Sequence, residues 1–160
     1  MEDAIQVRTA KRSDSSNIFR FINDLANHVK AKSDVKASIN DIEVSLFSSD
    51  STAHALICEV NDEAVGFAVY FYSYSTWLGK NGLYLEDLYV APKYRGIGAG
   101  KSILKHLAKL AIENNCGRFE WSVLDWNEQA MDFYKSLGAK PQNESVVYRL
   151  AGNDLKNLAR

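Results

Sequence analysis

Apolar and polar residues alternate from Ile5 to Thr9, a pattern that predicts a first strand. From Ser13 the period changes. Ile18, Phe21, Ile22, Leu25, Ala26 and Val29 recur at helical spacing, with Ser13 and Asp14 available to cap the start. His28 reads as a surface residue near that helix's end, where a cation is favoured, and residues 30–36 are polar and irregular. Ser38 with Asp41 has the form of a capped start for a short second helix carrying Ile39, Ile42, Leu46 and Phe47. Ala53 to Val60 predicts a strand, Asn61-Asp62-Glu63 a hairpin turn, and Ala64 to Tyr74 the returning strand. Period-two alternation assigns Phe67, Val69, Phe71 and Ser73 to one face of that strand, and Ala68, Tyr70, Tyr72 and Tyr74 to the other.

A loop over residues 77–82 leads into the strand Leu83 to Val90, where Pro92 stops ladder pairing. A glycine-rich turn, Arg95-Gly-Ile-Gly-Ala-Gly100, comes next. Ile103, Leu104, Leu107, Ala108, Leu110 and Ala111 then form an amphipathic run. That helix ends near Asn114 to Gly117, with Gly117 suited to a left-handed stop. Arg118 to Val123 predicts a strand. Asn127 is placed to cap a helix from Glu128 to Leu137, which Gly138 closes. Val146 to Leu150 predicts a last strand, and Leu155 to Leu158 a short tail. Strands followed by helices interleaved with strands predict a mixed α/β sheet in a single domain, without repeats or interdomain linkers.

Composition narrows the function classes. A chain of 160 residues, 46% hydrophobic and 24% charged, has room for one real core. Net charge −1 provides no basic field for nucleic acid. No apolar stretch reaches membrane-spanning length, and Met-Glu-Asp-Ala lacks the basic start and apolar middle of a leader. Cys58 and Cys116 have neither metal-ligand spacing nor a nearby histidine. They read as reduced thiols of a cytoplasmic protein, and no metal is expected.

The chemistry concentrates in Tyr84 to Ser102. Strand, glycine turn and helix in that order make an anion site, because backbone N–H groups converge where side chains are absent and the helix dipole adds positive charge. A dinucleotide fingerprint would need G-x-G-x-x-G, and Gly96-Ile-Gly98-Ala-Gly100-Lys lacks its last glycine. A nucleoside-triphosphate loop would need glycine where Arg95 stands before Gly100-Lys101-Ser102. Arg95-x-x-Gly98-x-Gly100 instead resembles the pyrophosphate loop of the GNAT N-acetyltransferases. Tyr84-Leu-Glu-Asp-Leu88, Val123-Leu-Asp-Trp-Asn127 and Phe133-Tyr134-x-x-x-Gly138-Ala139 follow that family in order. Within it, Tyr74-Ser-Thr-Trp77, Tyr84-Leu-Glu-Asp87 and Leu124-Asp-Trp-Asn127 are most similar to the diamine and thialysine acetyltransferase branch. The likeness runs from about Ile5 to the C-terminus.

The resemblance implies a mostly antiparallel sheet whose two central parallel strands splay apart, with acetyl-CoA as cosubstrate in the gap. The backbone of Arg95, Gly96, Ile97, Gly98, Ala99, Gly100 and Lys101 would hold the pyrophosphate. The edge of Leu88, Tyr89 and Val90 would pair with the pantetheine arm as a peptide adds to a sheet. Asn127 would bond that arm or hold its own helix start. A lysine-like amine of pKa about 10.4 is neutral in only about one molecule in 2,500 at pH 7, so some group must take its proton. Glu86 and Asp87 are neighbours on one strand, and alternation sends their side chains to opposite faces. In the branch resembled the first of the pair acts as base through ordered water, which makes Glu86 the candidate and Asp87 a substrate contact. Tyr74 and Trp77 are further candidate substrate contacts. Tyr134, two turns after Asn127, would donate a proton to the departing thiolate.

A non-catalytic acyl-CoA-binding module would keep the glycine loop without needing Tyr134 and Glu86, and both are present. A protein N-terminus or lysine stays open as an alternative acceptor. Residues 28–36 carry three lysines against one aspartate, which disfavours long polyamines and favours a small primary amine. The branch also implies a homodimer with shared substrate sites.

Overall fold

The computed structural model describes residues 4–160; Met1–Asp3, the start of the stretch read for a leader, lie outside the described residues. The chain divides into two compact units, one ending at Ser122 and the other spanning Val123–Arg160.

The first unit is a five-stranded sheet in the order β1 (Ile5–Thr9), β2 (Ala53–Val60), β3 (Glu63–Ser75), β4 (Lys80–Val90) and β5 (Phe119–Trp121). Neighbours run antiparallel except β4 and β5, which are parallel. Each connection follows from local chemistry. Asn61 and Asp62 both take left-handed φ, 50° and 67°, the twist that suits a two-residue hairpin turn. The next turn occupies residues 76–79 only. β4 therefore begins at Lys80, earlier than expected, because Ser75 and Lys80 already pair.

Two helical layers cover the sheet. α1 (Ser15–His28) and α2 (Ile39–Phe47) cover one face, where Ile18 and Phe21 pack with Ala55, Ile57, Phe67 and Tyr89. α3 (Ala99–Glu113) covers the other, through Ala99, Ile103, Leu104, Leu107 and Ala111 against Leu56, Cys58, Ala68 and Leu83. The alternation read for β3 holds: Phe67 and Val69 pack in the α1–α2 layer, Ala68, Tyr70 and Tyr72 in the α3 layer. Ser38 and Asp41 form the expected capping box. Ile39 departs from its stripe and is exposed, since only Ile42, Leu46 and Phe47 of α2 reach the sheet.

Asp14 does not cap α1 with its side chain. Its carboxylate accepts from the Lys11 N–H at 2.7 Å and from the Arg8 guanidinium at 2.8 and 2.9 Å, and Arg8 also pairs with Glu59. The Arg8 bond is the main cause that holds the Asp14 carboxyl below its usual range. This group ties β1, β2 and the entrance to α1 together. At the far end of α3, Asn115 supplies the left-handed stop with φ 54°, not Gly117. Gly117 instead lies against a side chain: a Cβ there would come within 2.7 Å of Leu78 Cδ1, which would have to swing aside.

The second unit holds α4 (Glu128–Ser136) and α5 (Gly152–Leu158). Asn127 caps α4 as expected, its Oδ1 accepting from the Ala130 N–H at 3.2 Å, and Gly138 ends it at φ 93°. The tail expected over Leu155 to Leu158 is the end of α5. Val146 to Leu150 corrects the reading, because these residues join no ladder among the described residues. A strand exists only with a partner edge, and Val146, Val147 and Tyr148 are 78%, 89% and 94% exposed. No residue of Val123–Arg160 is buried. Among the described residues no helix is long and apolar enough to cross a membrane.

Candidate active site

β4 carries the site and a defect in its pairing shapes it. Leu85 pairs with Tyr70 and Asp87 with Val69, so Glu86 has no cross-strand partner and forms a β-bulge. Before the bulge, Leu83 and Leu85 face the α3 layer; after it, Leu88 and Val90 do. Tyr89 packs in the α1–α2 layer. The residues facing α3 are thus odd-numbered before Glu86 and even-numbered after it. Glu86 and Asp87 consequently both fall on the α1–α2 side. The expectation that alternation separates them fails because the extra residue resets the period.

Their surroundings differ nonetheless. Glu86 is exposed and Asp87 half-buried. Burial first, and the neighbouring Glu86 charge second, push the Asp87 carboxyl up to about 6.

The parallel ladder between β4 and β5 covers only Leu83–Leu85 against Phe119–Trp121, and ends at the residue before the bulge. This is why β5 is shorter than the strand read over Arg118 to Val123. It also leaves Leu88, Tyr89 and Val90 without a β5 partner, while β3 still pairs on their other side. A strand edge with N–H and C=O groups therefore lies beyond the end of the β4–β5 ladder.

A 3-10 turn, Pro92–Tyr94, carries the chain from this edge into the glycine loop. Arg95 turns back: its Nε donates to the Val90 carbonyl at 2.8 Å, and its guanidinium lies 5.5 Å from the Tyr89 ring centre. The side chain therefore pins the start of the loop to the end of β4. Gly96 and Gly98 have φ of 81° and 92°, the left-handed region that disfavours side chains. Gly98 is the N-cap of α3 and has no side-chain cap, so the first N–H groups of the helix, at Ala99, Gly100 and Lys101, have no intrahelical acceptor. A Cβ at Gly96, Gly98 or Gly100 would meet nothing within 4 Å. The loop thus brings uncapped helix N–H groups and glycines with open space around them to the positive end of a helix dipole.

Tyr74 and Trp77 lie elsewhere in this unit. Tyr74 pairs with Asn81, six residues before Asp87, which separates them by about 20 Å along the strand. Trp77 sits in the turn beyond and is 94% exposed. In the C-terminal unit, Asn127 caps its helix, and partial burial raises the Tyr134 phenol above its usual value of 10. Burial pushes the Cys58 thiol up to about 11 and raises Cys116 as well, which lowers the thiolate fraction of both. No group of three or more His, Cys, Asp or Glu able to hold a metal occurs among the described residues.

The acetyltransferase (GNAT) family model matches residues 21–139. Thialysine N-epsilon-acetyltransferase of Bos taurus is 38% identical over 166 residues, covering 97% of this chain and 97% of that protein. Spermidine/spermine N(1)-acetyltransferase-like protein 1 of Homo sapiens is 35% identical over 144 residues, covering 86% of this chain and 21% of that protein. Among solved structures, an integron cassette protein from the mobile metagenome of V. cholerae superposes with a TM-score of 0.80. It is 31% identical, with 98% of each chain covered.

Proposed function

The chain belongs to the acetyltransferase (GNAT) family, and from that premise we propose that it moves an acetyl group from acetyl-CoA to the primary amine of a small molecule, lysine-like as in thialysine or a short diamine. The observation that carries the reading is one continuous piece of chain. A carboxylate pair just past the end of the β4–β5 ladder leads into a strand edge without a β5 partner, then into a glycine loop at a helix start with no side-chain cap, then into the helix.

The donor set fits acetyl-CoA: amide N–H groups for a pyrophosphate, and a β-edge for an amide-containing arm. When bound, acetyl-CoA supplies a thioester whose acyl carbon the free amine can attack. The backbone of Arg95 to Lys101 holds the anion, and Leu88 to Val90 align the arm. Glu86 takes the proton of the ammonium through ordered water, Asp87 contacts the substrate, and the Tyr134 hydroxyl gives a proton to the leaving sulfur. Both cysteines are free thiols, which suits a reducing compartment such as the cytoplasm.

Residues 28–36 support a small acceptor, with Lys30, Lys32 and Lys36 against Asp34 alone. A polycation would need several carboxylates at once. Comparing kcat/KM for thialysine, lysine, a short diamine, spermidine and spermine tests this. The small amines should lead by about tenfold or more, the effect of one or two missing ion pairs. A clear preference for spermine would overturn the substrate reading and leave acetyl transfer standing.

The same reading includes a homodimer. The branch resembled implies it, and the apolar Val146-Val147-Tyr148 is the surface that a second copy of the chain would cover in this reading. Tyr74 and Trp77 then contact substrate only at a site shared between copies. Light scattering should return twice the 17.9 kDa chain mass, and Val147→Asp should move it towards the single-chain value. A wild-type mass of one chain at micromolar concentration would remove the dimer, and with it the roles of Tyr74 and Trp77.

A further inference from the structure

We infer that Tyr94 and Glu63 are a positioning pair for the cofactor loop: their hydrogen bond fixes where the glycine turn starts and so tightens the hold on acetyl-CoA. This rests on the acetyltransferase reading above and deepens its cofactor site. The Tyr94 hydroxyl donates to Glu63 Oε2 at 2.8 Å, between residues 31 positions apart. Glu63 opens β3 directly after the left-handed Asn61-Asp62 turn and pairs with Val60, so its backbone is held by the sheet. Tyr94 ends the 3-10 turn and packs against the core on the α3 side. The next residue, Arg95, grips the other side, through the Val90 carbonyl and the Tyr89 ring of the α1–α2 layer. Consecutive side chains thus hold the entrance to the loop from opposite faces of the sheet.

The loop needs such anchors because it binds through its backbone. A single 3-10 turn has too few bonds of its own to hold a fixed direction. The N–H groups of Ala91, Tyr94 and Arg95 donate to the Val65, Ala91 and Pro92 carbonyls at 2.8, 2.9 and 3.2 Å. The first of these ties the turn to β3, whereas the other two are local and would move with the turn as a body. The Tyr94 hydroxyl adds a second tie to β3. At the far end of the loop, Ala99 and Ile103 of α3 lie in the core, so Gly96 to Gly98 are strung between two fixed points. Glycine takes either sign of φ with similar ease, and the anchors select the values of 81° and 92° found at Gly96 and Gly98. Losing an anchor gives the loop more states to surrender on binding, and the cofactor bears that ordering cost.

A double-mutant cycle on the full chain tests the pair, with CoA as the probe and a calorimetric Kd as the readout. Tyr94→Phe keeps the ring, its packing and the Lys93 ammonium 5.4 Å from its centre, and deletes the donor. It should weaken CoA binding about tenfold, as should Glu63→Ala, the scale of one hydrogen bond to a charged acceptor. The double variant should lose little more than either single one, because each removes the same bond. Glu63→Gln keeps an acceptor oxygen and should recover most of the affinity lost in Glu63→Ala. In turnover, the KM for acetyl-CoA should rise with Kd while kcat and the KM for the amine hold, a split that a general loosening of the fold would not produce. Additive losses in the double variant would overturn the pair, and so would an unchanged Kd in either single variant. Tighter CoA binding in both Glu63→Gln and Glu63→Ala would overturn it too, since Glu63 would then act only as a charge that repels the phosphates. A wild type that binds no CoA would instead remove the cofactor reading beneath it.

Discussion

Tyr134→Phe should lower turnover by about 10²–10⁴-fold, the usual worth of general acid catalysis, and leave CoA binding unchanged. The substitution keeps the ring on α4 beside Phe133, whose centre lies 5.8 Å away, and deletes only the hydroxyl. A thiol has an ordinary pKa of about 8.5 and a phenol of about 10, so the phenol remains the protonated partner across the neutral range. Burial raises Tyr134 further and keeps it so. A basic limb that reports loss of this proton should therefore lie above pH 10, and should be missing in Tyr134→Phe. The stability sign runs the same way. A phenol whose folded pKa is raised contributes nothing adverse below pH 10, and its ionisation weakens the fold as pH rises through the folded value. Tyr134→Phe should therefore unfold at a higher alkaline pH than the wild type. Full turnover in the variant would show that water or another group protonates the sulfur.

What the sequence revealed, it revealed where the cause is local. The Ser38–Asp41 capping box, the Asn127 cap, the Gly138 stop and the Asn61-Asp62 turn each depend on a few consecutive residues, and each forms. The faces of β3 follow from alternation because its own pairing is regular from Phe67 to Val69 and from Tyr70 to Ser75. The two features that decide the site are not local. Whether Glu86 pairs is settled across the sheet by Val69 and Tyr70, and Leu83 to Val90 shows no glycine or other mark of a bulge. A reading by alternation was therefore bound to send Glu86 and Asp87 to opposite faces. Val146 to Leu150 fails for the related reason that strand propensity names a candidate without naming its partner. Gly117 shows a third kind of blindness. A glycine after a helix reads as a left-handed stop, but here its missing Cβ makes room for Leu78, a residue 39 positions earlier.

Gly98→Val should abolish the melting shift with CoA while leaving a folded protein. The residue sits at φ 92° as the N-cap of α3, and two separate effects follow from filling it. Within the chain, the cost is conformational only, since a Cβ would meet no atom within 4 Å; a β-branched residue in the left-handed region costs about 1–3 kcal/mol. That is a noticeable fraction of a typical domain's stability but seldom all of it. For the ligand, the consequence is larger. The open space beside Gly98 is bordered by the N–H groups of Ala99, Gly100 and Lys101, and a branched side chain there stands between those donors and any pyrophosphate. Relaxing the strain by turning the backbone would also redirect the donors, so neither route keeps the anion cradle. Gly98→Ala separates the two effects: it carries most of the backbone strain with little bulk, and should bind CoA more weakly than the wild type but measurably. A folded Gly98→Val protein with an unchanged CoA melting shift would place the cofactor away from this loop, and the assignment of the strand edge Leu88 to Val90 would fall with it.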